Sequence, residues 1–194
     1  MKLDPINILL NNNFKIEKKF YFISGNETTL IEKIADTLVK QCKKREEVNL
    51  VRIDTIENFI DEVGLFSNKK IYTGKNCKGV NIENLNKIRD SENIFIFIQE
   101  NSPKTKKIKN IFIKDSDCCL IDCYEIDRTS KIRILKEFIQ TNNLKIEDSL
   151  FWILVEKLDN RYVFLENGLN KIKDIEQKDI NLKNIKKLLT IDGV

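Results

Sequence analysis

Up to about residue 124, short apolar runs alternate with stretches of helical periodicity. Residues 19–25 form an apolar run (Phe20, Tyr21, Phe22, Ile23) that ends in Ser24 and Gly25, the pattern of a buried strand and its turn. Over residues 27–42 the apolar positions Leu30, Ile31, Ile34, Leu38 and Val39 recur at helical spacing and predict an amphipathic helix. Val48, Leu50, Val51 and Ile53 return to strand character, and Asp54 or Thr55 offers a cap for a helix carrying Ile56, Phe59, Ile60 and Val63. A short strand is expected over 70–73, a helix over 82–88, a strongly apolar strand over 93–99, a basic helix over 104–113 and a strand over 118–123. This alternation predicts an α/β fold, a parallel sheet with helices on both faces.

After Asp127 strand signals stop. Ile132, Leu135, Phe138 and Ile139 mark a first helical period; Leu150, Ile153, Leu154 and Leu158 mark a second. Tyr162, Leu165, Leu169 and Ile172 mark a third, and Ile185, Leu188 and Leu189 a weaker fourth. The expected organisation is an α/β domain over 1–127 and a small helical domain over 128–194.

Composition narrows the function classes. No window approaches the roughly 18 apolar residues of a membrane span, and charge at Lys2 and Asp4 interrupts any secretory signal. Lys and Arg total 34 against 30 Asp and Glu, a mild excess with both signs interspersed, so net charge alone does not mark a nucleic-acid footprint. The five cysteines form no CxxC pair and the chain has no histidine, which removes the commonest general base and the usual zinc sites. The cysteines read as reduced thiols of a cytoplasmic protein. Cys119 and Cys123 fall on one face of their strand and Cys118 on the other, where core packing is the expected role.

The first strand, turn and helix are where a phosphate-binding loop would sit. Such a loop requires GxxxxGK[ST], so that backbone amides cradle phosphate, Lys neutralises charge and the hydroxyl holds magnesium. Here Gly25 is followed by Asn26, Glu27, Thr28 and Thr29, with no Lys-Ser/Thr pair and with carboxylates at Glu27 and Glu32. The stretch reads as a plain strand-to-helix turn with Glu27 favourably placed at the helix N-terminus. No cofactor is expected. Gln99 and Glu100 end an apolar strand much as an acidic magnesium site would, but Gln99 stands at the metal-binding position and the companion loop is missing.

Two surface features remain. Lys104, Lys106, Lys107 and Lys109 form the densest basic patch, a candidate DNA contact, although no aromatic residues are interleaved for base stacking. Gly64 interrupts a helical pattern before Leu65 and Phe66, an adjacent apolar pair that a regular helix cannot bury in one core. Such a pair has the form of a hydrophobic plug, each side chain releasing about 1.5–3 kcal/mol on burial in a partner.

The order of these pieces resembles the delta subunit of the bacterial DNA polymerase III clamp loader, across nearly the whole chain. The resemblance is carried by residues 20–27 with Leu30, Ile31 and Glu32; by Gly64, Leu65, Phe66, Ser67, Asn68, Lys69 and Lys70; and by residues 159–162 and 165–172. It implies an AAA+-like, P-loop-type α/β domain that has lost its nucleotide site, followed by a lid-like helical domain. It further implies that Leu65 and Phe66, with Val63 beside them, bind and open the sliding clamp during DNA replication without ATP hydrolysis by this chain. The implied partners are the clamp ring, the ATP-hydrolysing motor subunits, a delta-prime type subunit and DNA within the complex. The family continues into a helical collar domain, which this chain lacks as far as Val194; it is then either a fragment or a form that binds the clamp without conventional assembly. A divergent nucleotide hydrolase of related fold and a DNA-binding module are the alternatives.

Overall fold

A computed structural model describes residues 1–44, 47–57, 59 and 69–190. The chain divides into two compact units, Met1–Tyr124 and Glu125–Val194.

In the first unit, six parallel strands form one sheet: β1 (Lys2–Leu3), β2 (Phe20–Gly25), β3 (Asn49–Arg52), β4 (Lys70–Lys75), β5 (Ile94–Glu100) and β6 (Cys118–Cys123), in the order β1-β6-β2-β5-β4-β3. Parallel neighbours require crossovers. These are supplied by α2 (Thr28–Lys43) after β2, α3 (Ile82–Lys87) between β4 and β5, and α4 (Thr105–Lys114) between β5 and β6. The strands bury both faces, as continuous apolar runs in a covered parallel sheet must. Phe20, Phe22, Tyr72, Phe95, Phe97, Cys118 and Leu120 project to one side, where Leu85 and Ile88 from the α3 region and Phe112 of α4 close over them. Tyr72 stacks on Phe95 at 5.0 Å, and Phe112 meets the Phe97 ring edge-on at 6.2 Å. Each such pair adds about 0.5–1.5 kcal/mol beyond area burial. On the other face lie α2 and the short α1 (Pro5–Leu10).

The α/β class and its parallel sheet are as the sequence predicts, but two stretches differ. Residues 1–18, to which periodicity assigns no element, carry β1 and α1. Asp4 caps α1 by accepting from the Ile6 amide at 2.9 Å, with Pro5 opening the helix. Neither Asp54 nor Thr55 caps a helix at Ile56, and Ile60 and Val63 of the expected helix lie outside the described residues. The Thr55 backbone bridges to Lys78, and its hydroxyl accepts from the Glu57 amide at 3.0 Å. The local hydroxyl turn outcompetes a cap there.

In the second unit, α5 (Arg128–Thr141), α6 (Asp148–Lys157), α7 (Tyr162–Lys173) and α8 (Leu182–Thr190) bury Leu135, Leu154, Leu165, Ile172 and Ile185, among others, as the helical periods anticipate. Asp127 caps α5 by accepting from the Ser130 amide at 2.7 Å. Lys131 is buried and donates to the Leu158 carbonyl at 2.6 Å, placing a cation on the C-terminal end of α6. Burial lowers its pKa. Among the described residues no helix is long and apolar enough to cross a membrane.

Candidate functional site

In open parallel sheets, ligands bind beyond the carboxyl ends of the strands, where the strand order reverses. Here that point is β2, flanked by β5 and β6. Gly25 pairs in register with Glu100 on one side and Cys123 on the other, and only Asn26 and Glu27 separate it from α2. A phosphate cradle needs a longer loop with free amides. The Asn26 and Glu27 amides instead donate to the Cys123 carbonyl at 3.1 and 3.3 Å. The buried Glu27 carboxylate accepts from the Leu30 amide and, at 2.8 and 3.0 Å, from the Thr29 hydroxyl. The helix N-terminus therefore has its anion built in. These residues do not fit a nucleotide phosphate: the amides are engaged, and a carboxylate occupies the electropositive end.

The crevice beside this turn is closed in the same way. Ser24 Oγ donates to Asn101 Oδ1 at 3.2 Å, and the Asn101 amide returns to the Gly25 carbonyl at 2.8 Å. Lys109, 16% exposed at its side chain, reaches Asn101 Oδ1 and Asp122 Oδ1, each at 2.8 Å, and lies 3.4 Å from the Tyr124 hydroxyl. Lys2 holds the other Asp122 oxygen at 3.0 Å. Burial disfavours the Lys109 charge, but Asp122 and Tyr124 outweigh it and raise its pKa. Asp122 and its partners were missed by sequence reasoning. The available signal was a carboxylate at the alternate position to Leu120 on an otherwise apolar strand, which requires a cation from the covering helix.

Gln99 and the exposed Glu100 border a separate cavity of about 250 Å³, in which Glu32 and Lys75 pair at 3.6 Å. Thr28 Oγ1 is 3.5 Å from Glu100. Cys118, Cys119 and Cys123 are free and fully buried. Burial pushes the Cys118 and Cys119 thiols up to about 12 and raises Cys123 further, so none is poised as a nucleophile near neutral pH.

Of the basic patch, Lys104, Lys106 and Lys107 are exposed at the start of α4, whose first turn carries no acidic residue. Lys109 is turned inward to Asp122 and does not share their surface. Val63, Leu65 and Phe66 lie outside the described residues. The chain leaves for that segment from Phe59, whose ring meets Tyr72 and Phe95 edge-on at 4.9 and 5.6 Å, and re-enters the sheet at Lys70.

No protein-family model matches the chain, and no curated protein matches it by sequence. Solved structures do resemble it. The Bacillus subtilis DNA clamp loader delta protein (YqeN) superposes with a TM-score of 0.59 at 12% identity, covering 95% of this chain and 62% of that one. Domain III of the Thermotoga maritima replication initiation protein DnaA superposes with a TM-score of 0.50 at 11% identity, covering 96% and 90%. This chain thus spans under two thirds of the delta protein it resembles. At such identities the likeness is one of fold, and the fold is an AAA+-like α/β architecture shared with replication proteins.

Proposed function

We propose that this chain is a delta-type clamp-loader subunit that binds and opens a sliding clamp without hydrolysing ATP. In this reading, residues 1–127 are the AAA+-like domain and 128–194 the lid-like domain. The observation that carries it is the turn at Gly25–Glu27: in a fold similar to a clamp loader delta protein, the phosphate position is filled by the chain's own carboxylate. Leu65 and Phe66, with Val63, form the plug. Burying the pair in a clamp pocket releases about 3–6 kcal/mol, and the plug favours the open ring only by its differential affinity for that form. Motor subunits supply the ATP chemistry, and a delta-prime type subunit and DNA complete the assembly, in the cytoplasm.

The test is equilibrium binding of the chain to its cognate clamp, wild type beside Leu65→Ala/Phe66→Ala. The double variant is expected to lose at least a hundredfold in affinity with its melting temperature unchanged; retained affinity sinks the plug assignment. Lys104, Lys106 and Lys107, exposed and without an acidic neighbour in the first turn, favour a second role in contacting DNA. DNA affinity should then fall steeply with salt, the log–log slope dropping by about 0.9 for each of these lysines that neutralises a phosphate. The triple alanine variant is expected to flatten that slope, and an unchanged slope rejects the contact.

A further inference from the structure

Away from the carboxyl-end crevice, the first unit holds a cavity of about 320 Å³ between the N-terminal segment, the loop over residues 11–19 and the start of β2. Tyr21, 1% exposed, is among its lining residues. The amides of Glu17 and Lys18 both donate to that hydroxyl oxygen, at 3.1 and 3.0 Å. A phenol oxygen offers two acceptor positions and one proton. With both positions filled from the loop, the proton is directed away from it, and no acceptor among the described residues receives it. Burial raises the phenol pKa, so the proton stays in place.

The rest of the lining defines which acceptor suits that proton. Lys15 and Lys18 border the cavity, and neither ammonium is paired among the described residues. The Met1 ammonium is also there, held by the carbonyls of Phe112 and Cys118 at 3.1 and 3.0 Å. Against these cations stands the Glu17 carboxylate on the exposed rim of the loop. Leu3, Phe14 and the Tyr21 ring supply an apolar wall. One water, whose share of liquid volume is about 30 Å³, would satisfy the hydroxyl but leave most of the space and both lysines unused. A phosphate would suit the lysines but not the apolar wall.

We infer that this cavity binds a small organic carboxylate, whose oxygen accepts the Tyr21 proton and pairs with Lys18 while its apolar body lies against Leu3 and Phe14. The test is calorimetric titration of the full chain with benzoate, with its neutral amide benzamide and with inorganic phosphate. Benzoate is expected to bind, with benzamide and phosphate each at least tenfold weaker. Lys18→Gln keeps the loop amides on Tyr21 and is expected to weaken benzoate about tenfold, the loss of one charge-assisted hydrogen bond, at unchanged melting temperature. Tyr21→Phe should weaken it as well, but it also strips the acceptor from two loop amides, so Lys18→Gln carries the decision. Equal binding of benzamide, tighter binding of phosphate, no benzoate binding by the folded chain, or an unaffected Lys18→Gln variant would each overturn the assignment. So would a benzoate-soaked crystal with solvent only in the cavity.

Discussion

A Cβ at residue 25 would lie 1.7 Å from the carbonyl oxygen of Cys123 and 2.5 Å from its carbon. Both atoms are main chain of the adjacent strand, so no side-chain rotation relieves the clash. β2 and β6 would have to part at the carbonyl that anchors the Asn26 and Glu27 amides. Gly25→Ala is therefore expected to destabilise the first unit by about 3 kcal/mol, the upper part of the usual overpacking range. For a chain of this size that corresponds to a fall of roughly 6–12 °C in melting temperature. Calorimetry showing a change under about 2 °C would mean the strands are not locked together at this point. In the sequence Gly25 looks like an ordinary turn glycine at a strand end. Its need for close strand approach depends on a partner 98 residues away, Cys123, and so belongs to the sheet register rather than to local composition.

Elements are held in register by a cluster that periodicity does not reveal. Arg89, just after α3, donates to Asp115 Oδ1 at 3.0 Å and also pairs with Asp117, both in the turn between α4 and β6. The Asp115 side chain in turn accepts from the Asp117 amide at 2.9 Å. The Arg89 hydrogen bond, working against partial burial, holds the Asp115 carboxyl below its ordinary value of 3.8. As pH falls, the unfolded chain takes up this proton first. The Asp115 contribution is thus complete above pH 3.8 and is lost as pH falls through the lowered folded value. Arg89→Ala is expected to cost about 2 kcal/mol at pH 7, since two carboxylates lose their cation. That cost should shrink progressively below pH 3.8; urea melts at pH 7 and pH 3 that give the same difference would reject the clamp. From β2 and α2 onward the strands and helices were legible because each has a clear period, and β6 matches its expected range residue for residue, whereas β1 and α1 are too short to show one. The pairing of Lys109 with Asp122 was not legible, because the lysine's helical neighbours Lys106 and Lys107 are solvated and only the fold separates them from it. Asp54 does not cap a helix because Thr55 finds a partner in Lys78, 23 residues on.

At the scale of the molecule, the carboxyl edge of the sheet determines what the fold can be used for. An AAA+-like sheet brings a helix N-terminus to the strand-order reversal, the natural position for an anion. This chain closes that edge from within at three points: Glu27 on the Leu30 amide of α2, the Cys123 carbonyl on the amides of residues 26 and 27, and Lys109 on Asp122. On the clamp-opening reading proposed above, a molecule closed in this way acts through its surface and its partners rather than through a bound nucleotide. Magnesium-ATP at millimolar concentration is accordingly expected to leave the melting temperature unchanged, whereas a site filled to a hundred times its dissociation constant would add about 2.7 kcal/mol. Glu27→Ala provides the stricter test. Losing the cap should cost about 1 kcal/mol, yet no ATP-dependent shift should emerge, because residues 26 and 27 still donate to Cys123 and the loop is still two residues long. A rise of several degrees with ATP in the variant alone would show that a single carboxylate excludes nucleotide from an otherwise competent site. A rise in the wild type would place this chain among nucleotide-binding members of the fold and remove the observation on which the clamp-opening reading rests.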